Sequence, residues 1–309
     1  MNDTSVVQQP LVSVCIPTYN RAQRMKRAVE ALLQGEYRNL EILVSDNGSG
    51  DDTRGVGEAL ALAHSQVRYF RHPENMGPIP NFEFVRQQAR GKYFLWHGDD
   101  DYLDPGYIRA CVEALERDPS LVLASGLAAY HYLGAHDISH YGNVIQPGSE
   151  SPLLRIASYL WRVRENSMFC GVYRVDRVKD GQMPNLLAGD WMWMADVLLH
   201  GRALVIPAVH VHRDYGDSTS DNIARIVRVQ GLPAWNARFP WAAIVFSFMP
   251  CLWMAMRRAG YPVPRALAIS LAAEAVLVAR AIAAYQKVTL GKVPLLRRLS
   301  RAIKARRAS

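Results

Sequence analysis

Cysteine is scarce and unpaired. Cys15, Cys111, Cys170 and Cys251 are far apart, form no CxxC spacing, and mostly lie inside apolar runs. That pattern argues against a disulfide framework and fits small buried hydrophobes in a reducing compartment. Residues 1–10 are polar and lack an apolar signal core, so export is not expected. Glycine is missing from Pro17-Thr-Tyr-Asn20, the loop after the first apolar run. A NAD-binding oxidoreductase or a nucleotidyltransferase would want a glycine-rich phosphate loop there. A clean membrane span is missing too. Pro250 interrupts Trp241 to Met256, and Glu274 and Arg280 interrupt Ala266 to Tyr285. No internal repeat or low-complexity segment is visible.

The 309 residues are half apolar and 21% charged, enough for a sizeable core and more than one subdomain. The net charge of +8 is unevenly placed. Residues 257–309 hold 12 Lys/Arg and a single acid, Glu274, whereas residues 1–256 hold 24 basic and 27 acidic residues. A slightly acidic body with a basic tail suggests docking to an anionic surface. Within the tail, Leu295, Leu296, Leu299 and Ile303 alternate with Arg297, Arg298, Arg301, Lys304, Arg306 and Arg307, which fits a helix lying on an anionic membrane. Residues 287–309 interleave no aromatic side chains with the charges, so nucleic acid is not an expected partner.

Short apolar runs at 11–16, 39–45, 67–70, 92–96 and 121–124 read as strands. Helical spacing or start signals fall between them, at 21–33, 51–64, 81–89 and from Asp104-Pro105, where Asp104 reads as a cap. The alternation predicts a mainly parallel α/β sheet with helices on both faces. Ligands in such sheets bind at the carboxyl ends of the strands. Three polar clusters fall there: Pro17-Thr-Tyr-Asn20, Asp46-Asn-Gly-Ser49 and Gly98-Asp-Asp-Asp101. Residues 126–188 are less regular. A helix is expected from Asp190, a strand over 203–206, and a polar loop over 212–220.

Asp99, Asp100 and Asp101 are the most informative residues. Adjacent carboxylates at a strand end repel unless a cation or a set of donors meets them. A divalent ion holding a diphosphate is the simplest resident; acids favoured by a helix N-terminus are the structural alternative. Asp190 reads either as a helix cap or as a general base. Trp191 and Trp193 read either as a stacking wall for a sugar or as core packing beside Met192 and Met194. His131, His136 and His140 lack the geometry and cysteine partners of a usual zinc site.

Val12-Ser-Val-Cys-Ile-Pro-Thr-Tyr-Asn-Arg21, Leu43-Val-Ser-Asp-Asn-Gly-Ser49, Asn75-Met-Gly77 and Gly98-Asp-Asp-Asp101, in that order, resemble the nucleotide-sugar half of the family 2 glycosyltransferases. A weaker match continues through Phe169-Cys-Gly-Val-Tyr-Arg174, Gly189-Asp-Trp191 and His212-Arg213 to Ser218 and Ser220. The resemblance implies a GT-A fold, Rossmann-like and mostly parallel, with flanking helices and, here, a C-terminal helical membrane-associating region. It implies a donor-binding half over 1–125, an acceptor and base half over 126–235, and the C-terminal region over 236–309.

By resemblance, Pro17, Thr18, Tyr19, Asn20 and Arg21 would wrap the nucleotide. Asp46 would accept from a uracil or thymine ring, with Asn47 beside it. Asn75 and Gly77 would line the pocket, and Asp99 would face the ribose or donor sugar. Asp100, with Asp101, would hold Mn2+ or Mg2+, and Asp190 would be the base of an inverting reaction. Trp191, Trp193 and Tyr215 would meet the acceptor. His212 is displaced from the position where relatives carry a metal-holding histidine, and Tyr215 stands near it. The Gln-x-x-Arg-Trp motif of processive synthases is missing. The implied activity adds one or a few sugars from a UDP- or dTDP-type donor to a glycan hydroxyl. The acceptor would be a glycan or a polyprenyl-diphosphate-linked glycan, in bacterial surface polysaccharide synthesis on the cytoplasmic membrane face. An inactive membrane-docked sugar-nucleotide module and a nucleotidyltransferase are the alternatives.

Overall fold

All seven residues of Val12–Thr18 (β1) are buried, because this strand runs through the middle of a sheet covered on both faces. The structure, a computed structural model, describes residues 9–132, 137–215 and 222–290, with only the backbone of Tyr215 and of 287–290. The sequence features at His136, Ser218, Ser220 and 295–307 lie outside the described residues.

Leu40–Asp46 (β2) and Tyr93–Trp96 (β4) flank β1, and Val67–Arg71 (β3) lies beyond β2, all parallel. The sheet continues through Val172–Arg174 (β8), Leu121–Tyr132 (β6) and Arg202–Tyr215 (β9) to Tyr102–Leu103 (β5), with Ile138–Tyr141 (β7) beside β6. β8, β5 and β7 run antiparallel to their partners; the rest is parallel. Thr18 pairs with Asp46, and Cys15 with Trp96, so β1, β2 and β4 end on one rim.

Side chains alternate across the sheet and build two cores. Val12, Val14 and Ile16 pack with Ala22–Gln34 (α1), Thr53–Ala63 (α2) and Tyr107–Arg117 (α4). Cys15 and Leu43 face Pro78–Gln87 (α3) and the opposite core. That core gathers Pro152–Arg162 (α5), Gly189–Val197 (α7), Pro240–Arg258 (α10) and Val263–Leu290 (α11). Short helices at Val175–Val178 (α6), Ile223–Val229 (α8) and Trp235–Arg238 (α9) complete the described chain. Phe248, Leu252, Met256, Ala273 and Leu277 of α10 and α11 are buried with Trp96 and Trp193, so the last two helices are part of the body's core.

Several local expectations shift. α3 begins at Pro78 rather than near Asn81, because prolines in a first turn forfeit only amide hydrogens that have no helical partner. β6 and β9 outrun their expected four residues by pairing with one another from Leu121 and Arg202 to Tyr132 and Tyr215. Residues expected to be a polar loop from 212 are therefore strand as far as Tyr215. Asp104 does not cap α4, whose N-cap is Gly106. Its carboxylate takes hydrogen bonds from His210 Nδ1 (2.9 Å) and His212 Nε2 (2.8 Å) instead.

Candidate active site

The rim where β1, β2 and β4 end opens into a cleft of about 810 Å³. Pro17, Thr18, Tyr19, Asn20, Arg21, Asn47, Asn75 and all of Asp99, Asp100 and Asp101 line it, though the sequence separates them by up to 84 residues. Asn20 has φ +54°, a left-handed geometry that asparagine tolerates. Its Oδ1 accepts from the Gly50 amide at 2.7 Å, and its own amide donates to Ser49 Oγ at 2.8 Å, joining the β1 and β2 loops. Asn47 clasps a third loop: its Oδ1 accepts from the Met76 amide, and its Nδ2 donates to Asn75 Oδ1 and the Gly77 carbonyl, each at 3.0 Å.

Asp46 and Gly77 do not line the cleft. The Asp46 carboxylate is fully buried, with Oδ1 taken by the Ser49 amide (2.9 Å) and Oδ2 by Tyr69 (2.6 Å) and Arg71 (3.1 Å). This carboxylate holds the loop, and three donors already occupy it. Gly77 has φ +88° and turns the chain into α3; Pro78 meets the cleft instead.

The three acids have distinct surroundings. Asp99 is buried; its Oδ2 accepts from Thr18 Oγ1 at 2.7 Å and its Oδ1 from Arg21 at 2.8 Å. Burial pushes its pKa above the ordinary carboxylate range, while Arg21 pulls it back. Asp100 keeps 37% of its side chain exposed and pairs with Arg21 (2.8 Å) and Arg24 (3.3 Å). Asp101 folds back over Gly98, where a Cβ would lie 2.7 Å from its Oδ2. Its Oδ1 accepts from Arg213 Nε at 3.3 Å, and its buried Oδ2 makes no hydrogen bond but lies 3.3 Å from the same Nε as an ion pair. Burial raises this pKa as well, and Arg213 opposes the rise.

Donors therefore meet the triplet, and they are arginines. Among the described residues no group of three His, Cys, Asp or Glu could hold a metal ion by itself. The chemistry does fit a shared ion. Asp101 Oδ2 is a hard oxygen with no hydrogen bond, only the Arg213 ion pair, Asp100 is reachable, and Mg2+ needs only one or two carboxylates when phosphate oxygens and water complete its shell. His212 is not in this group. It stacks on Tyr102 (4.4 Å between ring centres) and its Nδ1 lies 2.9 Å from His131 Nε2. Since Asp104 can only accept, His212 donates through Nε2 and takes the His131 proton at Nδ1 when both rings are neutral.

Asp190 lies in the first turn of α7, one residue after the N-cap Ala188-Gly189 corner, and makes no side-chain cap. It is not on the cleft wall. Asn166 Nδ2 donates to its Oδ2 at 2.9 Å, and Tyr159 Oη donates to Asn166 Oδ1 at 3.0 Å. Burial raises the Asp190 pKa; the Asn166 bond and the charge of Arg213, which does line the cleft, oppose the rise. Trp193 is 1% exposed and packs edge-on against Trp96 at 5.1 Å, so it is core and offers no wall to a sugar. Trp191 lies against Trp241 (6.3 Å) and under Arg280 (4.7 Å), facing the C-terminal helices. The side chain of Tyr215 lies outside the description.

Sequence reasoning missed Arg24, Arg213, Asn166 and the cleft-lining α8 residues Arg225, Ile226 and Val229. Only Arg213 sat in a quoted motif. Nothing local marks Asn166, whose partner is 24 residues away.

Comparison with known proteins bears on the family and the fold. Residues 13–178 match the family model described as Glycosyl transferase family 2. An uncharacterized glycosyltransferase of Rickettsia bellii is 28% identical over 77% of this chain and 29% of its own length. A GalNAc(5)-diNAcBac-PP-undecaprenol beta-1,3-glucosyltransferase of Campylobacter jejuni is 31% identical over 34% of this chain and 34% of its own. The chain spans about a third or less of the length of the curated relatives it matches. Among solved structures, S. aureus TarS 1–349 in complex with UDP-GlcNAc superposes with a TM-score of 0.55 at 15% identity, over 92% of this chain and 93% of that one. The mannosyltransferase PcManGT of Pyrobaculum calidifontis, in complex with GDP-Man and Mn2+, gives 0.54 at 17% identity, over 95% and 84%.

Proposed function

The chain belongs to glycosyltransferase family 2, and from that premise we propose that it moves a sugar from a UDP- or dTDP-type donor to a hydroxyl of a glycan acceptor, inverting the anomeric carbon. The observation that carries this reading is the convergence of Thr18, Arg21, Asn47, Asn75 and three carboxylates on one cleft at the strand ends. TarS, a fold neighbour, binds UDP-GlcNAc in its crystal. The Campylobacter relative's name describes an undecaprenyl-linked acceptor, which supports a lipid-linked acceptor here.

In this reading the loops of β1 and β2, held by Asn20 and Asn47, grip the nucleotide. Asp99, already bonded to Thr18 at the end of β1, faces the ribose or sugar. Asp100 and Asp101 would hold Mn2+ or Mg2+, which supplies charge neutralisation for the leaving diphosphate. Arg21, Arg24 and Arg213 now answer the acids, and they are the protein's own cations for phosphate oxygens once those acids are engaged elsewhere. Asp190 takes the proton of the attacking hydroxyl. A part-buried carboxylate with a raised pKa is a stronger base than one in water, and Asn166 orients it through Oδ2. Residues 1–125 would thus serve the donor, 126–235 the acceptor and base, and 236–309 the cytoplasmic membrane face.

The arginine pairs also suit a second reading, a sugar-nucleotide-binding module without turnover. Screening the protein for donor hydrolysis with a panel of nucleotide sugars, with and without Mn2+, separates the two. Hydrolysis that Asp100→Asn abolishes is expected. Nucleotide binding without hydrolysis or transfer across the panel would favour the module.

A further inference from the structure

α11 is built inside out. Only two charged residues lie between Arg265 and Gln286, Glu274 and Arg280, and both are part-buried. Arg280 donates to the carbonyls of Leu160 and Val163 and sits over the rings of Trp191 (4.7 Å) and Trp241 (5.5 Å). Glu274 has a buried Oε2 with no hydrogen-bond donor, and burial raises its pKa. The outward face carries Leu267, Leu271, Val278 and Ile282, 41%, 50%, 39% and 53% exposed. Spacings of four, seven and four residues put them in one stripe, about 22 Å long at 1.5 Å per residue. On neighbouring α10, Phe246 and Met254 are 74% and 58% exposed.

Glu274, three residues from Leu271 and four from Val278, is a part-buried charge at the edge of this stripe, and an apolar stripe of this length has an apolar partner. A span across a bilayer does not suit it. The opposite face, with Ala266, Ile269, Ser270, Ala273 and Leu277, is buried in the body, and lipid on all sides would strip Arg280 and Glu274 of their surroundings. A second copy suits it less well. Residues 291–309 of the sequence, directly after this helix, hold seven Lys/Arg and no acid, and a second copy of the same face offers them no anionic partner. An anionic bilayer satisfies both features, with headgroups for the basic residues and acyl chains for the stripe.

We propose that the outward face of α11 is a membrane-docking surface that lies in the plane of an anionic lipid layer. This rests on the reading that the protein works at a membrane and is independent of the cleft chemistry. The basic segment supplies attraction that salt screens; the α11 stripe supplies apolar insertion that salt leaves in place.

The test is sedimentation of the full chain with phosphatidylethanolamine vesicles containing phosphatidylglycerol, and with phosphatidylcholine vesicles, at low and high salt. The protein should partition to the anionic vesicles and retain part of that binding at high salt. Leu271→Glu/Val278→Glu should lower partitioning at least about tenfold, and Leu271→Ala/Val278→Ala should lower it less, in the same direction. Leu62→Glu, at a site 91% exposed on α2, should partition like the parent. Circular dichroism melting checks that all variants fold. Folded double variants that partition like the parent overturn the proposal. So does complete release of the parent at high salt, which leaves docking to the basic segment alone. A dimer that the double variant converts to monomer, with vesicle binding unchanged, assigns the stripe to a second copy. Donor hydrolysis measured alongside reports on the cleft, so failure of docking and failure of the catalytic reading are told apart.

Discussion

The cleft and the outer face of α11 both reverse the usual placing of polar and apolar groups, and they do so in opposite senses. The cleft draws Asp99 and Asp101 out of water and α7 part-buries Asp190 beside it, all with raised pKa values, and Thr18, Arg21, Arg213 and Asn166 offset the burial. α11 tucks its arginine inward, part-buries its acid and turns leucine, valine and isoleucine outward. Neither arrangement stabilises an isolated chain. Buried carboxylates resist ionisation, and an exposed apolar stripe forgoes burial. A ligand relieves each: polar and cationic in the cleft, apolar with anionic headgroups on the helix.

Removing a charge from the cleft is the most disruptive way to test that contrast. Asp101→Ala should abolish detectable turnover and also leave Arg213 without its acid. The stability loss should be about 1–3 kcal/mol in urea unfolding, moderated because a third of the Arg213 side chain still reaches water. No loss of stability would mean that Arg213 and Asp101 are not coupled as drawn.

Asp190→Asn separates chemistry from stability. Turnover should fall about 10²–10⁴-fold with UDP affinity unchanged by calorimetry. The folded state holds the Asp190 pKa above its unfolded value, so its proton favours folding below the unfolded pKa, and that contribution is lost as pH rises through the folded pKa. The melting temperature of the variant, relative to the parent, should therefore improve as pH rises. A fall in UDP affinity would instead give Asp190 a structural role.

A smaller effect is expected from Asn166→Ala. The bond from Asn166 favours the Asp190 carboxylate, so its removal raises that pKa further. The acidic limb of the kcat/KM profile should move to higher pH, with turnover on the alkaline plateau reduced only several-fold. An unmoved limb would detach Asp190 from the titration.

The least effect belongs to the outer helix face. Leu271→Ser should change stability in solution by no more than about 0.5 kcal/mol, whereas Leu277→Ala, buried on the same helix, should cost about 2–5 kcal/mol. Equal losses would show that the outer stripe is covered by protein.

Much of the donor side was legible in advance. The strands β1 to β4, the rim at their carboxyl ends and the cleft residues from Pro17 to Asp101 follow from apolar runs stopped by Pro, Asn and Asp. That information is local, because a strand ends where its own sequence ends it. Other roles needed a partner far along the chain. Asp46 read as a ligand for a base, and the fold adds Tyr69 and Arg71 of β3 as its partners. Trp193 read either as a sugar wall or as core, and its contact with Trp96 makes it core. Asp104 read as a cap until two histidines 106 and 108 residues on outcompeted a helix amide.

Composition and periodicity by themselves settle the α/β class, the acidic triplet at a strand end and the separation of an acidic body from a basic tail. Tertiary structure alone decides that three arginines answer the triplet, that Asn166 holds Asp190, and which face of α11 is left bare. The reason is physical. Backbone preference and hydrophobic period act over a few residues, whereas ion pairing, desolvation and packing depend on which distant segments fold against one another.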